Sequence, residues 1–130
     1  MSRPADLART LLKLARDDAV ALETLLGGKA VSDAVIGFHA QQAVEKSLKA
    51  ALAAGGVEFP FTHDLDGLVE LCRDVGLEVP DELSGVDVLS AFGVEFRYGA
   101  IDPATLDREQ SVQWSKVAIA WASRVLDQTG

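Results

Sequence analysis

Phe38-His39-Ala40-Gln41-Gln42-Ala43-Val44-Glu45-Lys46-Ser47-Leu48-Lys49-Ala50-Ala51-Leu52 separates, at 100° per residue, into two helical faces. Ile36, Ala40, Ala43, Val44, Ser47 and Ala51 fall on one side. His39, Gln42, Lys46 and Lys49 fall on the other, with Gln41 and Glu45 at its edge. Alanine and serine let a neighbouring helix approach closely, so this segment is expected at the centre of a bundle. The opposite face has two readings: an ordinary solvated surface, or a polar display kept for contacts.

Working outward, five helical segments and no strand can be read. The first runs from Ala5 to Leu26, with Leu7, Leu11, Leu14, Ala15, Leu22 and Leu25 as its stripe and Gly27-Gly28 as its stop. Asp18 interrupts that stripe, and a carboxylate there is costly to bury without a partner, so it is read as a structural polar contact. The second helix starts after Ser32, an N-cap with Asp33 in the first turn, and ends at Ala54 before Gly55-Gly56. Pro60 keeps the following loop non-helical, and Phe59 and Phe61 are expected to cover one end of the core. Thr62 or Asp64 caps a short third helix that faces inward with Leu65, Leu68, Val69, Leu71 and Cys72. Pro80-Asp81-Glu82 opens a fourth, carrying Leu83, Val86, Leu89, Phe92 and Phe96 but weakened by Gly85 and Gly93. Asp102-Pro103 reads as the cap and first residue of the last helix, which packs through Trp114, Val117, Ala118, Trp121 and Val125. The fold class is all-α: an up-and-down bundle of four to five helices in a single domain spanning residues 1–130.

Composition narrows the function classes. The 20 acidic and 12 basic residues leave a net charge of −8, with no Lys/Arg cluster beyond Lys46 and Lys49. Non-specific nucleic-acid binding, which needs a basic stripe, is not expected of the monomer. No apolar run approaches the roughly 20 residues of a membrane span. Met1-Ser2-Arg3-Pro4-Ala5-Asp6 leads straight into an amphipathic pattern without a signal-peptide core, which fits a cytoplasmic protein. A lone Cys72 leaves no intrachain disulfide and reads as a core thiol. No metal-ligand spacing and no phosphate-cradling glycine loop occurs, so neither metal nor cofactor is expected. Phe59, Phe61 and two tryptophans are many large apolar groups for a small bundle to cover, which points to a homodimer.

The chemistry-bearing residues left are Asp18, Gln42, Lys46, His63, Asp64, Arg97 and Tyr98. Of these, Gln42, Lys46, His63, Arg97 and Tyr98 are the candidate ligand-binding set. Convergence of Lys46, His63 and Arg97 would make a cationic spot suited to a phosphate or an acidic partner. The alternative is internal: Arg97 caps carbonyls, His63 packs, and Asp18 pairs with Lys46 or Arg97 to set the register of the bundle.

Asp18 with Leu22 and Leu25-Leu26, then Phe38-x-x-Gln41-Gln42-Ala43-x-Glu45-Lys46-x-Leu48-Lys49-Ala50, then Thr62-His63-Asp64-Leu65, then Arg97-Tyr98, resembles the HEPN domain family across nearly the whole chain. The resemblance implies an all-α bundle, commonly a homodimer. It also implies pairing with a minimal nucleotidyltransferase, fused or encoded beside it, as toxin and antitoxin. Many active members are ribonucleases in which an Arg, four to six residues and a His act across the dimer interface. Here Arg97 is followed by Tyr98-Gly99-Ala100-Ile101-Asp102-Pro103-Ala104, without a histidine, and Gly99 stands where this branch commonly has proline. Both histidines, His39 and His63, precede Arg97. The expectation is therefore a non-catalytic module that binds a nucleotidyltransferase partner or a nucleotide. The alternatives are a ribonuclease with a non-standard active site and a purely structural dimerisation domain.

Overall fold

The computed structural model describes residues 3–28, 30–93 and 106–129. Among these, four α-helices and two 3-10 segments follow in order, with no strand: α1 Arg3–Leu26, α2 Asp33–Ala54, α3 Leu65–Asp74, the 3-10 segments Asp81–Leu83 and Val86–Gly93, and α4 Arg108–Thr129. The all-α bundle expected from the sequence is what the chain forms. Helix α2 is its centre and packs against α1, α4, α3 and the second 3-10 segment.

Local chemistry accounts for most boundaries. Ser32 caps α2 by accepting the Val35 N–H at 3.3 Å. At the other end Gly56 takes φ +71°, and the Val57 N–H reaches back to the Leu52 carbonyl at 3.0 Å. Asp64, one of the two residues expected to cap α3, does so by accepting the Gly67 N–H at 3.1 Å, while Thr62 Oγ1 accepts from Asp64 itself. A Cβ at Gly67 would stand 2.8 Å from the capping carboxylate, so glycine makes room for this cap.

The fourth helix expected from Pro80 onward is instead a pair of 3-10 segments. Its apolar residues recur at i, i+3, i+6 and i+9, which is the three-residue repeat of a 3-10 helix. Leu83, Val86, Leu89 and Phe92 are all buried, as that repeat requires. Gly85, at φ +84°, breaks the run between the two segments. Phe96 lies outside the described residues. The start of the last helix also moves: Asp102 and Pro103 lie outside the described residues, and α4 begins at Arg108. Asp107 acts as its cap, its side chain accepting the Gln110 N–H at 3.0 Å and its carbonyl the Ser111 N–H.

Two apolar expectations are corrected. Helix α1 buries Ala8, Leu12, Ala15 and Leu22, whereas Leu7 and Leu14 of the expected stripe are 47% and 40% exposed. The line that meets the core lies about one flank round the helix from Leu7 and Leu14. Phe59 packs against the core beneath Lys49, but Phe61, two residues on and past Pro60, is fully exposed. Trp114 and Trp121 are buried within their own chain and leave nothing for a partner to cover.

Candidate functional site

The polar face of α2 is not a solvated surface. Gln41, Glu45 and Lys49, at i, i+4 and i+8, are buried, and the side chains of His39 and Lys46 are only 24% and 23% exposed. Two carboxylates organise them. Glu45 Oε1 accepts from Gln41 Nε2 at 2.8 Å and from His63 Nδ1 at 2.6 Å, and Oε2 accepts from Lys49 Nζ at 3.0 Å. Asp18, reaching across from α1, accepts from Lys46 Nζ at 2.7 Å and from His39 Nδ1 at 3.0 Å. Gln42 joins the first group by donating to Gln41 Oε1 at 2.7 Å.

Each carboxylate therefore holds one ammonium and one imidazole. A buried carboxylate is tolerated when opposite charge and donors compensate its lost hydration. No buried side-chain nitrogen or oxygen among the described residues lacks a partner. An ionised carboxylate can only accept, so both histidines present Nδ1–H to it and keep Nε2 as the second ring nitrogen. The His63 side chain is 44% exposed, so its ring reaches the surface while one edge is held by Glu45.

Close backbone approach covers this cluster. A Cβ on Gly93 would come within 2.9 Å of His63 Cβ and 3.0 Å of the Gln41 amide. The end of the second 3-10 segment thus lies directly on both residues. Likewise Gly37 admits the Phe92 ring, which a Cβ there would meet at 2.3 Å. Lys49, besides its ion pair, stands 5.6 Å above the centre of the Phe59 ring.

Of the candidate ligand-binding residues, Gln42 is linked to Gln41, Lys46 is paired with Asp18, and His63 is held by Glu45. Lys46 and His63 thus go to different carboxylates. Arg97 and Tyr98 lie outside the described residues. Asp18, expected to make a structural polar contact, pairs with Lys46 and His39. Sequence reasoning left Gln41, Glu45, Lys49 and His39 out of the site set. The shared spacing of Gln41, Glu45 and Lys49 was visible, but Gln41 is covered by the Gly93 and His63 backbones, Lys49 lies over Phe59, and His39 is met by Asp18 from α1. Cys72 is buried, its Sγ facing the Leu48 carbonyl, and burial pushes its pKa up to about 12, so it is held as a thiol.

No group of three or more His, Cys, Asp or Glu able to hold a metal occurs among the described residues. Nor is any helix among them long and apolar enough to cross a membrane. A helical bundle with an internal ionic layer along its central helix is the class that fold and site define. Residues 8–127 match the model of the HEPN domain, and the chain belongs to the HEPN domain family. Comparison with curated proteins and with solved structures gave no match.

Proposed function

We propose that this chain is a non-catalytic HEPN module that acts by binding, as a cytoplasmic homodimer that engages a minimal nucleotidyltransferase partner or a nucleotide in a toxin–antitoxin pair. The observation that carries this reading is the internal saturation of the α2 polar face. Lys46 and Lys49 are neutralised by Asp18 and Glu45, and both imidazoles are tied to the same carboxylates. Groups committed in this way tie α1, α2 and the loop before α3 together. The chain also has no histidine after Arg97 to complete the family's ribonuclease pair.

A second reading has one specific observation in its favour. Glu45 orients His63 through Nδ1 at 2.6 Å, and an imidazole held in that way presents Nε2 as a general base. Incubating purified protein with single-stranded RNA separates the two. The RNA is expected to remain intact, while Arg97→Ala weakens binding of ATP measured by calorimetry. RNA cleavage that disappears in both His63→Ala and Arg97→Ala would replace the binding module with a ribonuclease.

A further inference from the structure

Charge is distributed unevenly over this molecule. Of its 20 acidic and 12 basic residues, nine acidic and one basic, Arg73, fall between Glu58 and Asp87, leaving 11 of each elsewhere. The whole net charge of −8 therefore sits on α3, on the loops before and after it and on the 3-10 segments. All nine carboxylates are exposed. None of them enters the ion pairs found among the described residues, whose carboxylates all belong to α1 and α2.

The same surface carries apolar side chains in water. Phe61 is fully exposed and Val88 is 64% exposed. They belong to segments joined at one junction: the Leu65 N–H donates to Ser90 Oγ at 2.9 Å and the Asp66 N–H to Asp87 Oδ1 at 3.2 Å, tying the start of α3 to the second 3-10 segment. Phe61 precedes Leu65 by four residues, and Val88 directly follows Asp87. Phe59, in the same loop, is anchored under Lys49, while the loop's other aromatic, Phe61, stands in water. The inward side of α3, through Leu65, Leu68, Val69 and Cys72, is already filled by the core.

We infer that the outer face of α3, with Phe61 and Val88, docks a basic protein segment that carries apolar side chains, an amphipathic helix being the form that fits. This rests on the binding-module reading and gives its protein partner a surface and a sign of charge. Exposed carboxylates attract and orient a cationic partner, and the two apolar side chains supply the short-range contact. The sign disfavours nucleic acid, an anionic membrane and a second copy docked through the same face, each of which sets negative charge against negative charge. The Glu45 and Asp18 carboxylates lie beneath this surface, and of their partners only His63 reaches out at its edge.

The test uses a fluorescein-labelled synthetic helix of lysine and leucine, about five turns long, read by anisotropy. Wild-type protein is expected to bind it, more tightly at low salt. Phe61→Ser/Val88→Ser and Glu70→Lys/Asp74→Lys should each weaken binding at least tenfold. None of these four side chains is buried, and unchanged circular dichroism and melting midpoints confirm that the variants fold. A peptide with glutamate in place of lysine should not bind, and polylysine should bind without regard to Phe61→Ser/Val88→Ser. Hydrogen exchange should slow in α3 when the lysine–leucine peptide is added. Equal binding by wild type and Phe61→Ser/Val88→Ser, binding of the glutamate peptide, or protection confined to α1 and α4 would overturn the assignment. RNA cleavage by the same preparations would sink the binding-module reading and leave the peptide result standing. Inert RNA with no peptide response would sink this surface alone.

Discussion

Glu45 is the side chain on which the centre of the molecule turns, because three donors from two elements meet on its two oxygens. Removing a buried carboxylate leaves its cation and donors facing an apolar gap, which costs more than the pair itself contributes. Glu45→Leu is therefore expected to lower the unfolding free energy by about 3–5 kcal/mol in urea titration. Glu45→Gln should cost less, since its amide oxygen still accepts a hydrogen bond. An unchanged midpoint in Glu45→Leu would show that the cluster is held by something other than this carboxylate. At this scale the spacing of Gln41, Glu45 and Lys49 on one line was legible. Their burial was not, because it depends on backbone arriving from residues that sequence spacing cannot place.

At the scale of elements, α2 depends on close approach from all sides. Ile36, Ala40, Ala43, Val44, Ser47 and Ala51, the face read as packing, are all buried. Gly37, which that reading passed over, matters as much, since it admits the Phe92 ring. Gly37→Ala is expected to destabilise the protein by about 1–3 kcal/mol through overpacking. Combined with Phe92→Leu, it should cost less than the sum of the two single changes, a coupling that a double-mutant cycle in urea would measure. Strict additivity would place the ring away from Gly37. The 3-10 segments were equally legible in retrospect: a strict three-residue apolar repeat is poor for an α-helix and natural for the tighter form.

For the whole molecule, separating a charge-balanced bundle from an acidic α3 side divides the surface into two kinds of face. Leu7 and Leu14 lie exposed on the balanced part, on α1, which carries Asp18 in the ionic layer shared with α2. The proposed homodimer would use that part, where self-association meets no net repulsion. Sedimentation velocity at micromolar protein is expected to show a dimer, and Leu7→Lys/Leu14→Lys to shift it to monomer. Monomer alone in the wild type would end this reading. A dimer unmoved by those substitutions would place the contact elsewhere.

What the sequence determined by itself is local. The spans of α1 and α2, the Ser32 cap, the stop at Gly55-Gly56 and the central place of α2 follow from periodicity and from backbone groups that must find partners within a few residues. Tertiary structure decided which cation met which carboxylate, which leucines of α1 faced water, and which of the two loop phenylalanines was anchored. Those outcomes depend on the rotation and crossing of whole helices. A shift of one flank around α1 exchanges Leu7 and Leu14 for Ala8 and Leu12, and only the simultaneous packing of α1, α2, α4 and the 3-10 segments selects among such rotations.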